Sequence, residues 1–240
     1  GFIGCEASWS LRALGLDVTV VSSEALPQQQ RLGRDAARRI AGWLGDQGVE
    51  LRGGVSVQAL QARGEGFAVH LEGPDELEAD MVLLATGVRP RVALAAAAGL
   101  SMRTGRVSVD AQMRTSVPHV FAAGDIARAR NRTAGRQLSV EHWGEGLAMG
   151  EVAGTCAAGG DATWAEVPGF WSEIGPHTLK YAAWGDGFDS AALVEHGDGA
   201  FTVWYGSAGT TVGVLTHGAD EDYEHGSRLV ASAAPVPSPA

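Results

Sequence analysis

The residues of this 240-residue chain whose types and spacing could do chemistry are a few glycines and the acids beside them. The run Arg114 to Asp125, RTSVPHVFAAGD, reads as a turn, a proline and a short strand of small apolar residues, Val120 to Ala123. Gly124 breaks that strand and Asp125 closes it with a carboxylate. A strand of small residues ending in glycine lets a ligand approach the backbone. The carboxylate can then accept hydrogen bonds from ligand hydroxyls. An ordinary strand end looks the same, so these residues alone leave both readings open.

A second set lies at the start. Gly1 and Gly4 fit the last two glycines of G-x-G-x-x-G, in the stretch GFIGCE. There Gly1 would let the backbone near a pyrophosphate, Gly4 would let helix and strand pack, and the helix N-terminus would face the anion. The chain opens inside this turn and without a Met, so it reads as a fragment whose first glycine and first strand lie upstream. The dinucleotide pattern also asks for an acid at the end of the next strand. That strand ends at Ser22-Ser23, with Glu24 following. Ser22 does not repel a 2′-phosphate and Arg31 could reach one, which leaves NADH and NADPH both open. A plain exposed Glu24 is an equal alternative.

The elements that must hold these residues follow from periodicity. Ile3, Ala7, Leu11 and Leu14 sit at helical spacing and predict a helix over 1–15, followed by a β-branched strand over 16–21. Residues 33–48 predict an amphipathic helix with Ala37, Ile40, Ala41 and Leu44 as its stripe. Strands are predicted at 49–51, 55–62, 67–71 and, as a continuously apolar run of the buried parallel kind, at 81–85. A polar turn fills 72–80. Beyond Gly87, a short alanine-rich helix over 92–99, a strand over 107–109, an arginine-rich connection over 126–137 and a small-residue helix over 145–158 are predicted. Gly159-Gly160-Asp161 reads as a hinge. Four strands, at 179–184, 191–195, 201–205 and 211–215, precede a helix over 220–232 and a tail from 234 expected to be disordered.

Charge is uneven. Residues 1–137 carry 16 Arg against 14 acids, and residues 138–240 carry one Lys and one Arg against 14 acids. The acidic second half argues against nucleic acid and anionic membrane as partners. No apolar run reaches the roughly 18 residues of a membrane span. The two cysteines, Cys5 and Cys156, are far apart, so no disulfide framework, CxxC or zinc spacing is visible, and a reducing cytoplasmic setting is the natural assignment. No Ser-His-Asp or metal cluster stands out. Cys5 is expected to be buried and inert.

Taken in order, GFIGCE, DVTVV, LLATGVRP, GRVSVDAQMRTSVPHVFAAGD, VEHWGEGLAMG and VPGFWSEIG resemble the FAD-dependent pyridine nucleotide-disulfide oxidoreductases. The likeness is to their ferredoxin-reductase-like and apoptosis-inducing-factor-like branches, and it covers residues 1 to about 230. It implies an α/β fold of partial Rossmann-like NAD(P) and FAD domains followed by a smaller α+β domain. The implied boundaries are 1–87 for the NAD(P) domain without its first strand, 88–162 for the second FAD segment, and 163–233 for the C-terminal interface domain. The resemblance places Gly1, Ile3 and Gly4 on the NAD(P)H pyrophosphate, Glu6 near the nicotinamide and Gly87 at the crossing it approaches. It places Gly124 and Asp125 on FAD, with Asp125 holding the ribityl chain. Glu141, His142 and Trp143 would lie along the isoalloxazine, and Phe170, Trp171 and Ser172 would close over it. Ser22 departs from the acid usual there, and Met149 from a glutamine. The implied activity passes hydride from NAD(P)H to FAD and then electrons to a ferredoxin or rubredoxin. The acidic second half would slow encounter with an acidic acceptor, so a basic site is expected on 126–137 or upstream. The alternative is a redox-responsive interaction protein with slow turnover.

Overall fold

The computed structural model describes residues 1–237. Two compact units are present: residues 1–87 with 172–179, and residues 88–171 with 180–240.

In the first unit, α1 (Phe2–Ala13) leads to β1 (Thr19–Ser22), α2 (Gln29–Asp46) and β2 (Glu50–Gly53), which pairs parallel with β1. The helix breaks at Gly33 (φ +79°), and beyond the break Ala36, Ala37, Ile40 and Leu44 bury one face of α2 at the spacing a helix needs to present a single stripe. Gly48, at φ +87°, then turns the chain into β2. In α1 the predicted stripe fails. Ile3 and Leu14 are 70% and 78% exposed, and the buried residues are Cys5 and Ser8. A meander of β3 (Val57–Arg63), β4 (Gly66–Leu71) and β5 (Glu76–Ala79) follows. β5 falls where only a turn was expected, because Leu77 pairs opposite Val69. Residues 81–85 are not a strand. Met81, Leu83 and Leu84 are more than half exposed, and no strand of this unit lies alongside to take their backbone hydrogen bonds.

The second unit opens with α3 (Ala93–Ala97), β6 (Met102–Arg103) and β7 (Arg106–Val109). Residues 120–123 make only an isolated bridge, Arg114 to Phe121, instead of the predicted strand. A single turn of 3-10 helix, Gly124–Ile126, sends the chain into β8 (Ala127–Asn131) and β9 (Arg136–Leu138). The arginine-rich connection is therefore a hairpin. Its alternation hid the strand, since Ala127, Ala129 and Asn131 are buried while the arginines between them face out. The four strands run in the order β6-β7-β8-β9. Their inner face meets Met149, Val152 and Cys156 of α4 (Trp143–Ala157), and Trp164 closes the same core.

The remaining strands, β10 (Gly169–Ile174), β11 (His177–Ala183), β12 (Ser190–Glu195), β13 (Phe201–Ser207) and β14 (Thr210–His217), form one sheet in the order β10-β11-β14-β13-β12. β10 was not foreseen, since its burial alternates along a sequence with no strong β-branched run. α5 (Asp220–Ser232) packs on β14, where Gly226 leaves room for Val214. The tail expected to be disordered is held through Val236: Pro235 bridges Thr210, and the Val236 N–H donates to the Gly209 carbonyl. Residues 238–240 lie outside the described residues.

Candidate functional site

Two groups of the expected residues assemble, one in each unit. In the first unit Gly1 stands at the N-cap of α1, where no side chain caps the helix. A Cβ on Gly4 would come within 3.3 Å of the Ala85 Cβ, so glycine sets how closely α1 approaches that segment. Ile3 points into solvent. The Glu6 carboxylate accepts from the Ser172 hydroxyl at 2.5 Å and from the Glu173 backbone N–H at 3.2 Å. Gly175 sits against Trp9 so closely that a Cβ there would overlap the indole.

Ser22 and Glu24 already have structural partners. The Ser22 hydroxyl accepts from the Glu24 N–H, and the Glu24 carboxylate accepts from the Gln30 N–H at the start of α2. The turn they make is packed hard, since a Cβ on Gly53 would lie 2.1 Å from the Ala25 carbonyl oxygen. Gly87 takes φ +91° with open space around its Cα, a backbone state that glycine adopts at no steric cost.

The second group is built on α4. Gly124, at φ +73°, lies against Gly146, and a Cβ on it would sit 3.7 Å from the Gly146 Cα. Two backbones thus meet with no side chain between them. Asp125 follows, exposed, in the first turn of the 3-10 segment. Arg106 holds this corner: its Nε donates to the Asp125 carbonyl at 3.0 Å, and its terminal nitrogen pairs with Glu141. His142 is the N-cap of α4, its Nδ1 accepting from the Gly144 N–H at 3.2 Å. Nε2 must then carry the proton of the neutral ring. Partial burial pushes the His142 pKa down, against a hydrogen bond to the Trp171 backbone.

An aromatic layer surrounds the histidine. Phe170 and Trp171 lie 5.4 and 5.5 Å from its ring, and Trp143 meets Trp171 edge to face at 6.0 Å. Trp143 and Trp171 remain 68% and 47% exposed. Beneath them Glu145 is buried, accepting from the Trp164 indole at 2.9 Å and from the Gly169 N–H at 3.2 Å. Burial raises its pKa, so the carboxyl keeps its proton to higher pH than a solvated one.

Sequence reasoning missed Arg106 and the clasp made by Glu145. Arg106 carried no signal, as its partners are 19 and 35 residues away. Glu145 did carry one: an acid in the first turn of a helix otherwise made of small apolar residues. Among the described residues no cluster of His, Cys, Asp or Glu could hold a metal ion, and both cysteines are free and buried.

Comparison with known proteins agrees with this arrangement. The pyridine nucleotide-disulphide oxidoreductase profile matches residues 1–150. The chain is 31% identical over 241 residues to the ferredoxin–NAD(+) reductase component of the anthranilate 1,2-dioxygenase system of Burkholderia cepacia, covering all of this chain and 59% of that protein. It is 30% identical to mouse apoptosis-inducing factor 3 over 199 residues, 80% of this chain and 32% of that one. The crystal structure of the ferredoxin reductase for the CYP199A2 system from Rhodopseudomonas palustris superposes with a TM-score of 0.90 at 26% identity, over 98% of this chain and 59% of that one. The chain thus spans about three fifths of the length of these reductases. A profile match across 150 of 240 residues, on the α/β framework described above, makes this chain a member of the pyridine nucleotide-disulphide oxidoreductase family.

Proposed function

We infer that this chain is the larger part of an FAD-dependent NAD(P)H oxidoreductase that delivers electrons to a small protein acceptor of the ferredoxin or rubredoxin kind. The observation that carries the reading is the bare crossing of Gly124 and Gly146 beside the exposed Asp125 carboxylate. A hydroxylated ligand chain fits such a corner, where a Cβ-free backbone permits contact and the acid accepts its hydroxyl protons. The α4 N-terminus adds a partial positive charge of the sign a reduced flavin needs nearby. The residues present therefore fit FAD.

FAD held at this corner would supply hydride-accepting and one-electron-donating chemistry. The chain's own residues position and shield. Asp125 anchors the ligand, with its backbone carbonyl fixed by Arg106. His142, neutral and hydrogen-bonded on both nitrogens, caps α4 without adding charge. Phe170, Trp171 and Trp143 supply flat apolar surface against which a ring system can lie. In the first unit Gly1, Ile3 and Gly4 offer the pyrophosphate-binding end of α1. Glu6 is a candidate for the nicotinamide amide, and would exchange its bond from Ser172 to make that contact. Gly87 is proposed as the glycine that the nicotinamide approaches. Ser22 and Glu24 line the ribose position, although their bonds within the turn leave only part of Glu24 available.

The domain roles follow: an NAD(P) domain over 1–87, an FAD segment over 88–162 and an interface domain over 163–233. Two free buried cysteines support a reducing cytoplasmic setting. No helix among the described residues is long and apolar enough to cross a membrane.

Replacing Asp125 by Ala in the whole protein tests the reading. The 450 nm flavin absorbance per protein should fall at least tenfold while the far-ultraviolet circular dichroism stays unchanged. Retained flavin would overturn the assignment of Asp125. The likeness to mouse apoptosis-inducing factor 3 keeps a second reading, a redox-responsive NAD(H)-binding interaction protein with slow turnover. Rapid ferricyanide turnover with NADH favours the reductase, whereas slow turnover with a long-lived reduced complex favours the other.

A further inference from the structure

The hairpin of β10 and β11 contributes residues 172–179 to the first unit, and α1 meets them through Glu6 and Trp9, neighbours on one helix face. At Trp9 the contact is dry. The Gly175 backbone, at φ +60°, lies so close to the indole that a Cβ there would sit 2.0 Å from Cε2. His177 stacks parallel on Trp43 of α2 at 4.3 Å and meets Trp9 edge-on at 5.6 Å. Ring faces and a bare backbone therefore fix this turn without help from a carboxylate.

At Glu6 the contact is polar. The Ser172 hydroxyl donates to Oε1 at 2.5 Å, and the Glu173 N–H donates to the same oxygen at 3.2 Å. Ser172 is 1% exposed, and among the described residues Glu6 is the only acceptor of its hydroxyl. Both donors are neutral. A nicotinamide carboxamide brings a neutral N–H₂ donor of the same kind, so it can replace them like for like. The exchange leaves the Ser172 hydroxyl buried without an acceptor, which is unfavourable. The aromatic contact holds the turn in place, so the hydroxyl does not follow the carboxylate outward.

We propose that Ser172 is a built-in competitor for the nicotinamide, holding the Glu6 carboxylate between turnovers and taking it back as the oxidised nucleotide leaves. The inference rests on the reductase reading, in which Glu6 meets the nicotinamide amide. It deepens that reading by naming a residue that sets nucleotide affinity and release. Ser172 acts through Glu6 and is a positioning residue. Each binding event gives up the Ser172 bond, so the apparent affinity lies below the intrinsic one and dissociation is correspondingly fast.

The test uses the whole flavin-loaded protein. Ser172→Ala removes the hydroxyl, and Ser172→Cys keeps a similar shape with a much weaker donor. NAD⁺ and NADP⁺ are titrated by calorimetry. ADP-ribose and its 2′-phosphate serve as probes that carry the pyrophosphate but no carboxamide. Stopped flow times nucleotide release. Ser172→Ala should bind the nicotinamide nucleotide at least ~5-fold more tightly, with the gain in the dissociation rate. Ser172→Cys should fall between wild type and Ser172→Ala, while the probes without carboxamide should bind all three alike. In a Glu6→Ala background the gain from Ser172→Ala should vanish. Nicotinamide-nucleotide binding left unchanged or weakened by Ser172→Ala overturns the inference, as does equal tightening of ADP-ribose or a gain that survives loss of Glu6. Where Ser172→Ala does not fold, Ser172→Cys decides by the same signs. A wild-type flavin that NAD(P)H does not reduce instead overturns the reductase reading, and a carboxamide-dependent gain in Ser172→Ala leaves the competitor standing.

Discussion

Glu145 is the residue at which structure and chemistry are most tightly joined. Its two hydrogen bonds tie the first turn of α4 to Trp164 and to the start of β10, the strand that bears Phe170 and Trp171. Truncation to Ala leaves the buried Trp164 indole N–H unpaired and removes the Gly169 bond, at a cost of about 1–3 kcal/mol. Thermal or urea unfolding of Glu145→Ala should show that loss, and an unchanged midpoint would deny the clasp. The pH dependence has a definite sign. Burial raises the folded pKa above the ordinary 4.5, so the native state holds this proton longer than the unfolded chain. The contribution of this group is full below about pH 4.5 and declines as pH rises through the folded value. Glu145→Gln should flatten that decline. His142 acts in the opposite direction, its folded pKa lying below 6.5, so its contribution is lost as pH falls beneath that value. The two windows run in opposite senses, and a pH series on the Gln variant separates them.

At the scale of elements, close backbone contact does much of the positioning. A Cβ on Gly226 would lie 2.5 Å from the Val214 Cβ, so Gly226→Ala must push α5 away from β14. Overpacking of this kind costs about 1–3 kcal/mol, and chemical denaturation should register it even though alanine favours helix. A variant as stable as the parent would show that α5 can shift freely. Elements with strong local signals were readable from the chain alone. α5 begins and ends at the predicted residues 220 and 232, and α2 carries the predicted Ala37, Ile40 and Leu44 on its buried face. Elements defined by distant partners were not. β10 depends on pairing with β11, and residues 126–137 looked like a connection because arginine alternates with alanine instead of a β-branched residue. The same rule holds at the site. Asp125 and His142 sat in recognisable runs, while the role of Arg106 appears only when β7 lies beside the turn before β8.

Across the whole molecule the notable imbalance is apolar surface in the first unit. Met81, Leu83 and Leu84 are 62%, 57% and 67% exposed, and Ile3 and Leu14 are exposed still further. Residues 81–85 have the composition of a buried parallel strand yet form no strand, and only Val82 and Ala85 among them are partly covered. Monomeric proteins seldom leave such a run uncovered, and surfaces of this kind bind apolar dyes and one another. The 240-residue chain alone should therefore enhance the fluorescence of 8-anilinonaphthalene-1-sulfonate and elute larger than a monomer at micromolar concentration. Leu83→Asp/Leu84→Lys should reduce both signals without changing secondary structure, since neither side chain is buried. The relatives bear on the comparison, because this chain covers only 59% of the length of the reductase it matches end to end. In the whole protein the dye signal should be weak if additional chain covers this run. Equal dye binding by the whole protein and by residues 1–240 would instead mark residues 81–85 as permanently exposed surface, and the strand-like composition would then have no packing role.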